Sequence, residues 1–205
     1  RSTLFPYTTL FRSAREVAAD AEAAGYAMVD APVSGGIAAA EAGTLTFMVG
    51  GSEEAFKRAE PVLSAMGKAV IHAGQAGNGQ AAKICNNMLL GIHMIGTCEA
   101  FAMAQKLGLD PQTFYDISSV SSGQCWSMTS YCPVPGVGPT TPADNGYQGG
   151  FATGLMLKDL KLAMEAAQTA GVDPQMGQRA RELFEAFDAA GNGARDFSAI
   201  IISLK

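Results

Sequence analysis

The stretch Gly77-Asn78-Gly79-Gln80-Ala81-Ala82-Lys83-Ile84-Cys85-Asn86-Asn87 joins a strand-like run to the longest helical pattern of the chain. Its Gly-x-Gly-x-x-Ala spacing is similar to a dinucleotide-binding turn, which also needs a second strand ending in an acidic residue about 20 positions on. That condition fails, because the chain stays helical to about Gly108 and the nearest acidic residue, Glu99, lies within the helix. The sequence therefore predicts that these glycines turn the chain from sheet into helix and do not hold a phosphate.

The composition is that of an acidic globular chain. Of its 205 residues 48% are hydrophobic and 16% charged, which allows a sizeable core in one large domain or two small ones. A net charge of −5 argues against nucleic acid as the main partner. Four cysteines without CxxC spacing and only two histidines favour free thiols over a zinc site. The apolar run Met88–Ala104 contains His93 and Glu99, which favours a buried helix over a membrane span.

Residues 1–13 differ in character from the rest of the chain. Thr-Leu-Phe occurs twice, bracketed by Arg and Ser, and the segment shows no periodicity that joins the next one. We interpret residues 1–13 as a non-native tail similar to a translated sequencing adapter, with an ordinary N-terminal tail as the alternative, and exclude it from the fold.

Residues 14–77 alternate between helical and strand-like segments, which predicts the C-terminal part of a Rossmann-type, nucleotide-binding α/β domain. The predicted elements are, in order, a helix Arg15–Ala24 stopped by Gly25, strands Tyr26–Pro32 and Thr44–Val49, a helix capped by Ser52 that buries Phe56, Ala59, Leu63 and Met66, and a strand Ala69–His72. We find no earlier βαβ unit with a glycine-rich turn in the sequence, so we expect half of such a sheet.

Residues 78–205 are predicted to form an all-α domain around one long interdomain helix. This helix runs from about Gln80 to Leu107, ~28 residues and ~42 Å at 1.5 Å per residue. It carries so few charges that most of its surface must be covered, by its own domain and by a second subunit. The remaining predictions are helices that start at Asp110-Pro111 and Asp173-Pro174, helices over Phe151–Ala170 (closed by Gly171) and Phe197–Leu204, and a long loop over Cys132–Gly150.

Lys83 and Asn87 are the first candidate site residues. Four positions apart, they lie on one face of the predicted helix, with Lys83 near its start. The unpaired N–H groups there favour a neutral amine by roughly 0.3–1 kcal/mol, and desolvation must supply the rest if Lys83 is to exchange a proton with an alcohol. Asn87 would then hold a carboxylate or hydroxyl of the substrate. A snorkelling surface lysine and a helix-capping asparagine explain the same spacing equally well.

The second candidate is the segment Asp30–Gly36. A strand ends there at proline, and Ser34, Gly35 and Gly36 present a hydroxyl and bare backbone N–H groups that suit a carboxylate. On the residues alone, a plain turn is the commoner explanation.

The third candidate lies in Phe151–Leu160. Asp159 falls in the apolar stripe of its helix formed by Leu155, Leu162 and Ala166, where a charge is unfavourable unless it is paired. Lys158 is placed to pair with Asp159 or with a cofactor phosphate. A local surface ion pair is the commoner case.

Four segments in this order resemble the β-hydroxyacid dehydrogenase family. They are DAPVSGG (Asp30–Gly36), GTLTFMVGG (Gly43–Gly51), GNGQAAKICNN (Gly77–Asn87) and FATGLMLKDL (Phe151–Leu160). Ser121–Ser127 and Pro133–Val137 are most similar to the members that act on 3-hydroxyisobutyrate. The resemblance covers residues 14–205.

The resemblance implies NAD as the cofactor and the oxidation of 3-hydroxyisobutyrate to methylmalonate semialdehyde in valine breakdown. It implies that Lys83 is the catalytic acid/base and that Ser34, Gly35, Gly36, Asn87 and Asp159 surround the substrate. It also implies that Phe151 lies near the nicotinamide and that Lys158 binds the cofactor. The location would be a bacterial cytoplasm or a mitochondrial matrix, and the protein would be a homodimer or homotetramer associated through its helical domain.

The chain also departs from the family pattern. Ala38, Gln124, Cys132 and Lys161 stand where the family has glycine, arginine, asparagine and glycine. The family's GxGxxG half is not found in the sequence, so we expect the chain alone to bind NAD poorly and to turn over little. Two alternatives stay open: a tartronate semialdehyde, succinic semialdehyde or glyoxylate reductase of the same family, and a non-catalytic dimerisation fragment.

Overall fold

The computed structural model describes residues 10–204. The chain forms two units, which divide between Asn86 and Asn87. The strands are β1 (Val33–Ser34), β2 (Leu45–Gly50) and β3 (Gly67–Gly74). The helices are α1 (Leu10–Ala23), α2 (Gly36–Glu41), α3 (Glu53–Ser64), α4 (Asn78–Lys106), α5 (Pro111–Ser118), α6 (Trp126–Thr129), α7 (Thr153–Ala170) and α8 (Gln175–Phe187). An α/β segment followed by helices is the predicted order of the fold.

The first unit is built on a three-stranded sheet in the order β1-β2-β3. β1 pairs antiparallel with β2, and β2 pairs parallel with β3. In β2, Phe47 and Val49 are buried, as their alternation predicts, and Leu45 is partly buried. The side chains of β2 that are buried or partly buried are therefore those that the alternating pattern predicts.

Two predictions for the first unit are wrong. Tyr26–Pro32 is not a strand: within it, Asp30 forms an isolated bridge with Gly50 and the Pro32 carbonyl oxygen accepts the Met48 N–H, and the short strand β1 begins only after Pro32. Helix α3 is capped by Ser52, whose hydroxyl accepts the Ala55 N–H, but its only buried residue is Ala55. The residues predicted to be buried there, Phe56, Ala59, Leu63 and Met66, are partly buried or exposed.

The second unit has one helical core. Its largest fully buried side chains come from α4, α7, α8 and a 3-10 helix at Phe197–Leu204. They include Phe101, Met156, Leu160, Phe184 and Phe197. The apolar stripes of several helices thus meet in a single cluster.

Helix ends in the second unit follow the sequence signals with one exception. Asp110 caps α5 by accepting the Thr113 N–H, and Gly171 ends α7 with a positive φ of 69°. Asp173 does not cap α8, because the helix begins only at Gln175 and Asp173 accepts the Gln175 side-chain amide. The predicted loop Cys132–Gly150 contains a 3-10 helix, Pro142–Asn145.

The start of the chain bears on the proposed tail. Most of residues 1–13 lie outside the described range, but Leu10–Ser13 are described and form the first turn of α1. The helix therefore begins before Arg15, and this part of the segment does continue into the next one, contrary to the sequence expectation. Gly25 follows α1 with a positive φ of 82°.

Two kinds of feature are absent from residues 10–204. No helix there is long and apolar enough to cross a membrane. In the same range, no group of three or more His, Cys, Asp and Glu side chains is arranged to hold a metal ion.

Candidate active site

The carboxylate of Asp30 accepts hydrogen bonds at the start of helix α4. Asp30 is 7% exposed, and its two oxygens accept the backbone N–H groups of Gly77 at 2.6 Å and Gln80 at 2.9 Å. A protein carboxylate thus uses N–H groups that a phosphate would need. This arrangement supports the rejection of a dinucleotide turn at Gly77–Ala82.

The glycines at this helix start have separate roles. Gly77 has a positive φ of 85°, which turns the chain into α4. A Cβ on Gly79 would collide with the Met48 carbonyl oxygen and lie 2.7 Å from the Asp30 carbonyl oxygen. One glycine therefore serves the turn, and the other lets α4 approach the sheet closely.

Lys83 lies one turn into α4 and is partly buried. Its Nζ donates a hydrogen bond to the carbonyl oxygen of Val33 at 2.7 Å. Val33 directly precedes Ser34, so the structure brings the lysine to the Ser34-Gly35-Gly36 turn. The sequence alone could not establish this contact, which spans 50 positions.

The positive field at the N-terminus of α4 favours the neutral amine of Lys83 less than the sequence predicts. The expected positive field assumes unpaired N–H groups, whereas Asp30 accepts two of them and adds a negative charge. Partial burial of Lys83 favours the neutral amine.

The glycines of the Ser34-Gly35-Gly36 turn are required by the backbone. Gly35 has a φ of 133° and Gly36 a φ of 67°, both in the region that favours glycine. A Cβ on Gly35 would collide with the side chain of Ala39, whereas one on Gly36 would meet nothing within 4 Å. The turn therefore exposes bare backbone, as a site for a carboxylate requires.

In the second unit, Asn87 and Asp159 form a buried pair. Asn87 is 3% exposed and its amide Nδ2 donates to Asp159 Oδ2 at 2.6 Å. An ionised carboxylate can only accept hydrogen bonds, so Asp159 turns the amide nitrogen of Asn87 toward itself. Asp159 orients Asn87 in this way.

Lys158 pairs with Asp159 on the side that faces solvent. Its Nζ lies 3.1 Å from the Asp159 Oδ1, and the side chains of Lys158 and Asp159 are 46% and 14% exposed. The apolar stripe predicted around Asp159 is partly wrong, because Leu155 is 48% exposed while Leu162 is buried. Asp159 is nonetheless paired, as its position requires.

Phe151 lies in a different contact group of the second unit. Its backbone N–H donates to Asp196 Oδ2 at 2.8 Å, and its ring packs edge-on against Phe197. The structure thus brings together Lys83 with Val33–Ser34, and Asn87 with Asp159 and Lys158. It places Phe151 with Asp196.

Sequence reasoning did not assign a role to Asp30 or Asp196. Both are buried aspartates, 7% and 0% exposed, and each accepts hydrogen bonds from neutral donors. Asp30 stands between the apolar residues Val29 and Ala31, a signal that could have identified it, whereas Asp196 follows Arg195 and carries no such signal.

The four departures from the family pattern have different surroundings. Gln124 is exposed, and its side-chain amide lies 3.5 Å from the Thr129 hydroxyl. Cys132 is fully buried in the helical core, and burial raises the pKa of its thiol to about 11. Lys161 pairs with Glu185 at 2.9 Å, and Ala38 is exposed.

Two known protein families match this chain, one over its C-terminal part and one over its N-terminal part. The family described as NAD-binding of NADP-dependent 3-hydroxyisobutyrate dehydrogenase matches residues 77–204. The family described as NAD binding domain of 6-phosphogluconate dehydrogenase matches residues 7–74. The chain belongs to the 3-hydroxyisobutyrate dehydrogenase family, which confirms the resemblance seen in the sequence.

Individual relatives agree with this assignment. A probable 3-hydroxyisobutyrate dehydrogenase of Mycobacterium bovis is 49% identical over 94% of this chain and 65% of its own length. The 3-hydroxyisobutyrate dehydrogenase of Pseudomonas aeruginosa is 51% identical over 97% of this chain and 66% of its own length. The solved structure of Mycobacterium tuberculosis 3-hydroxyisobutyrate dehydrogenase with L-serine superposes with a TM-score of 0.90 at 48% identity, covering 95% of this chain and 67% of that one. The chain spans about two thirds of the length of these relatives.

Proposed function

We propose that this chain belongs to an enzyme that oxidises 3-hydroxyisobutyrate to methylmalonate semialdehyde with NAD, and that Lys83 is its acid/base. The observation that supports this most is the 2.7 Å hydrogen bond from Lys83 Nζ to Val33, beside Ser34, Gly35 and Gly36. The names of the relatives supply the substrate, since several are called 3-hydroxyisobutyrate dehydrogenase. The same chemistry places the enzyme in valine breakdown.

Lys83 exchanges the proton of the substrate hydroxyl. In the oxidation, the neutral amine accepts this proton as the carbon–oxygen bond becomes a carbonyl, and in reverse the ammonium returns it. The hydrogen bond to Val33 suits both protonation states, because amine and ammonium each carry an N–H that can donate. It holds the nitrogen in place through the cycle.

The remaining polar groups bind the substrate. The bare backbone at Gly35 and Gly36 and the hydroxyl of Ser34 suit its carboxylate. Asn87 contributes an amide whose orientation is set by Asp159. In this proposal Asp159 acts on the substrate side through Asn87 as well as by its own charge.

Lys158 and Phe151 fit a nicotinamide dinucleotide. When bound, NAD supplies the hydride acceptor. The Lys158 side chain is 46% exposed and offers an ammonium to a phosphate, while Phe151 is partly exposed and offers an aromatic ring. Lys158 is also held by Asp159, so it is positioned before any phosphate arrives.

Replacing Lys83 tests the proposal. Lys83→Ala should lower kcat/KM for 3-hydroxyisobutyrate by about 10²–10⁴-fold, the range of general acid–base catalysis. Lys57→Ala is the matched control, since Lys57 is an exposed lysine that pairs with Glu53 on the surface of α3. NADH formation is followed at saturating NAD, with long incubations because the sequence predicts a low rate. A near-native rate in Lys83→Ala would refute the acid/base role.

We also infer that the helical unit associates with a second copy of the chain. Leu89, Gly96 and Met103 are spaced by seven along α4 and are all exposed, with Leu89 at 49% and Met103 at 63%. Seven-residue spacing keeps them on one face of the helix, where an apolar row favours helix–helix contact. Such association leads to a homodimer, or to a homotetramer if a second face is used.

Sedimentation velocity tests this association. Leu89→Arg with Met103→Arg should shift the chain from dimer or larger to monomer, whereas Val172→Arg, at a 59% exposed position after α7, should not. A parent chain that is monomeric at all concentrations would disprove it. An associating chain that binds neither substrate nor NAD would favour the non-catalytic alternative.

A further inference from the structure

The carboxylate of Asp196 collects four hydrogen bonds in the second unit. Its Oδ2 accepts the backbone N–H of Phe151 and the hydroxyl of Tyr131, both at 2.8 Å. Its Oδ1 accepts the backbone N–H of Ser198 at 3.0 Å and the Ser198 hydroxyl at 2.5 Å. Asp196 is fully buried, and all four donors are neutral. The two oxygens therefore face two different sets of neighbours.

The neighbours on the Oδ2 side belong to a row of aromatic rings. Trp126 stacks on Tyr131 with ring centres 4.7 Å apart, and Tyr131 packs against Phe197 at 5.5 Å. Phe151 meets Phe197 edge-on at 5.7 Å. We call Trp126, Tyr131, Phe197 and Phe151 the aromatic row. Phe197 is buried, while Trp126 is 48% exposed and Phe151 and Tyr131 are partly exposed.

The backbone around Phe151 is held on both sides by the Asp196 segment. Besides donating to Asp196, Phe151 accepts the Phe197 N–H at 2.8 Å through its carbonyl oxygen. Thr153 donates its N–H to the Arg195 carbonyl at 2.7 Å. The main chain of Phe151 therefore cannot move without breaking the contacts of Asp196 and its neighbours, and this fixes the position from which its ring extends.

Gly150 shows how closely this group is packed. Its φ is +66°, and a Cβ there would collide with Asp196 Oδ2 and lie 2.5 Å from the Tyr131 hydroxyl oxygen. The carboxylate and the hydroxyl thus lie directly against the main chain that precedes Phe151. No side chain fits between them.

We propose that Asp196 is a positioning residue, which fixes the orientation of Phe151 and Tyr131 and through them the exposed face of the aromatic row toward the nicotinamide and the substrate. This inference rests on the proposed function for the role of Phe151. Asp196 is too deeply buried to touch either ligand itself. It acts through the rings it holds.

The chemistry of the carboxylate suits this role. An ionised carboxylate accepts at both oxygens, whereas an amide in its place has one accepting oxygen and one donating nitrogen. Burial is the larger cause and the neighbouring Asp196 the smaller one that raise the pKa of Tyr131 above its ordinary value. The hydroxyl therefore keeps its proton and donates. In Asp196→Asn the amide nitrogen replaces one carboxylate oxygen, so the two groups that donate to that oxygen would face another donor.

Trp126 provides a direct measurement, because it is the only tryptophan in the chain. Its steady-state anisotropy and its quenching by acrylamide are compared in the parent, Asp196→Asn, Tyr131→Phe and Ser198→Ala. Tyr131→Phe and Ser198→Ala form the matched pair, since each removes one hydroxyl donated to the same carboxylate, on the Oδ2 and Oδ1 sides respectively.

The inference predicts that Asp196→Asn and Tyr131→Phe loosen Trp126 while Ser198→Ala does not, at similar losses of thermal stability. Losing one such bond should shift the equilibrium between ordered and loose ring orientations about fivefold, which corresponds to about 1 kcal/mol. Equal loosening in Ser198→Ala and Tyr131→Phe would show a general effect of core damage and overturn the inference. An unchanged Trp126 in folded Asp196→Asn would also overturn it.

Kinetics of the same proteins separate this inference from the proposed function. Asp196→Asn should lower kcat/KM by about tenfold, and Ser198→Ala should leave it within about twofold, as expected for misplacement of about one 1.4 kcal/mol contact. A parent chain with neither substrate binding nor turnover would contradict the proposed function. The Trp126 comparison would still decide whether Asp196 holds the rings. A parent with turnover and an Asp196→Asn variant of equal kcat/KM would remove only the role of Asp196.

Discussion

The start of α4 and the aromatic row each depend on one buried aspartate, and the two aspartates hold different kinds of group. Asp30 accepts the backbone N–H groups of Gly77 and Gln80. Asp196 accepts two backbone N–H groups and two side-chain hydroxyls. Asp30 therefore fixes a helix and leaves Lys83 to be placed by its own contact with Val33. Asp196 fixes particular side chains, so its effect should depend more on the identity of its neighbours.

The comparison predicts its largest effect at Gly150. Gly150→Ala should destabilise the chain by about 3 kcal/mol or more, because positive φ and a collision with Asp196 act together. Gly149→Ala is the matched control, with a φ of +80° and nothing within 4 Å, and should cost about 1 kcal/mol. Urea unfolding of the two variants measures the difference. Equal losses would show that Asp196 is not tightly packed against Gly150.

A second, smaller effect is expected at the start of α4. Gly79→Ala should destabilise the chain by about 2 kcal/mol, because the new methyl group would displace α4 from Met48 and Asp30. Gly96→Ala lies in the same helix with nothing within 4 Å and should stabilise it by about 0.5–1 kcal/mol through helix propensity. Circular dichroism during thermal unfolding, at a low protein concentration that limits association, checks both signs. A stabilising Gly79→Ala would contradict the close approach.

The sequence predicts well those elements that local signals define. β2 and β3 follow apolar runs, Asp110-Pro111 starts α5, and Gly171 ends α7, because each signal acts within a few residues. The Tyr26–Pro32 prediction failed because an apolar run cannot show which neighbour its backbone will pair with. Its backbone contacts with β2 are the bridge between Asp30 and Gly50 and the hydrogen bond from the Met48 N–H to the Pro32 carbonyl oxygen.

The residues of the candidate site also differ in whether a local sequence pattern marks them. Lys83 and Asn87 were selected by their spacing on a helix, and Asp159 by its place on an apolar stripe. The roles of Asp30 and Asp196 arise from contacts that span 47 and 45 positions, which leave no local periodicity. Apolar neighbours on both sides mark Asp30 in the sequence, whereas Asp196 follows Arg195 and has no such mark.

The smallest predicted effect concerns an exposed carboxylate, in contrast to the two buried ones. Backbone N–H groups of Thr141 and Gly136 lower the pKa of Asp144 below its ordinary value. Because the folded-state pKa is lowered, the stabilisation is present above the unfolded value and is lost as the pH falls through the folded value. Unfolding midpoints measured from pH 5 down to about 2 should fall less steeply in Asp144→Asn than in the parent. Parallel slopes would contradict this assignment.

The central claim is that Lys83 transfers the proton, and chemical rescue of Lys83→Ala tests it most directly. Small primary amines should restore part of the 3-hydroxyisobutyrate oxidation rate, in proportion to their concentration, and more basic amines should restore more. The same amines should leave the rate of Lys57→Ala unchanged. If no amine restores the rate although Lys83→Ala still binds the substrate, or if the variant needs no rescue because its rate is near native, the account of Lys83 is wrong.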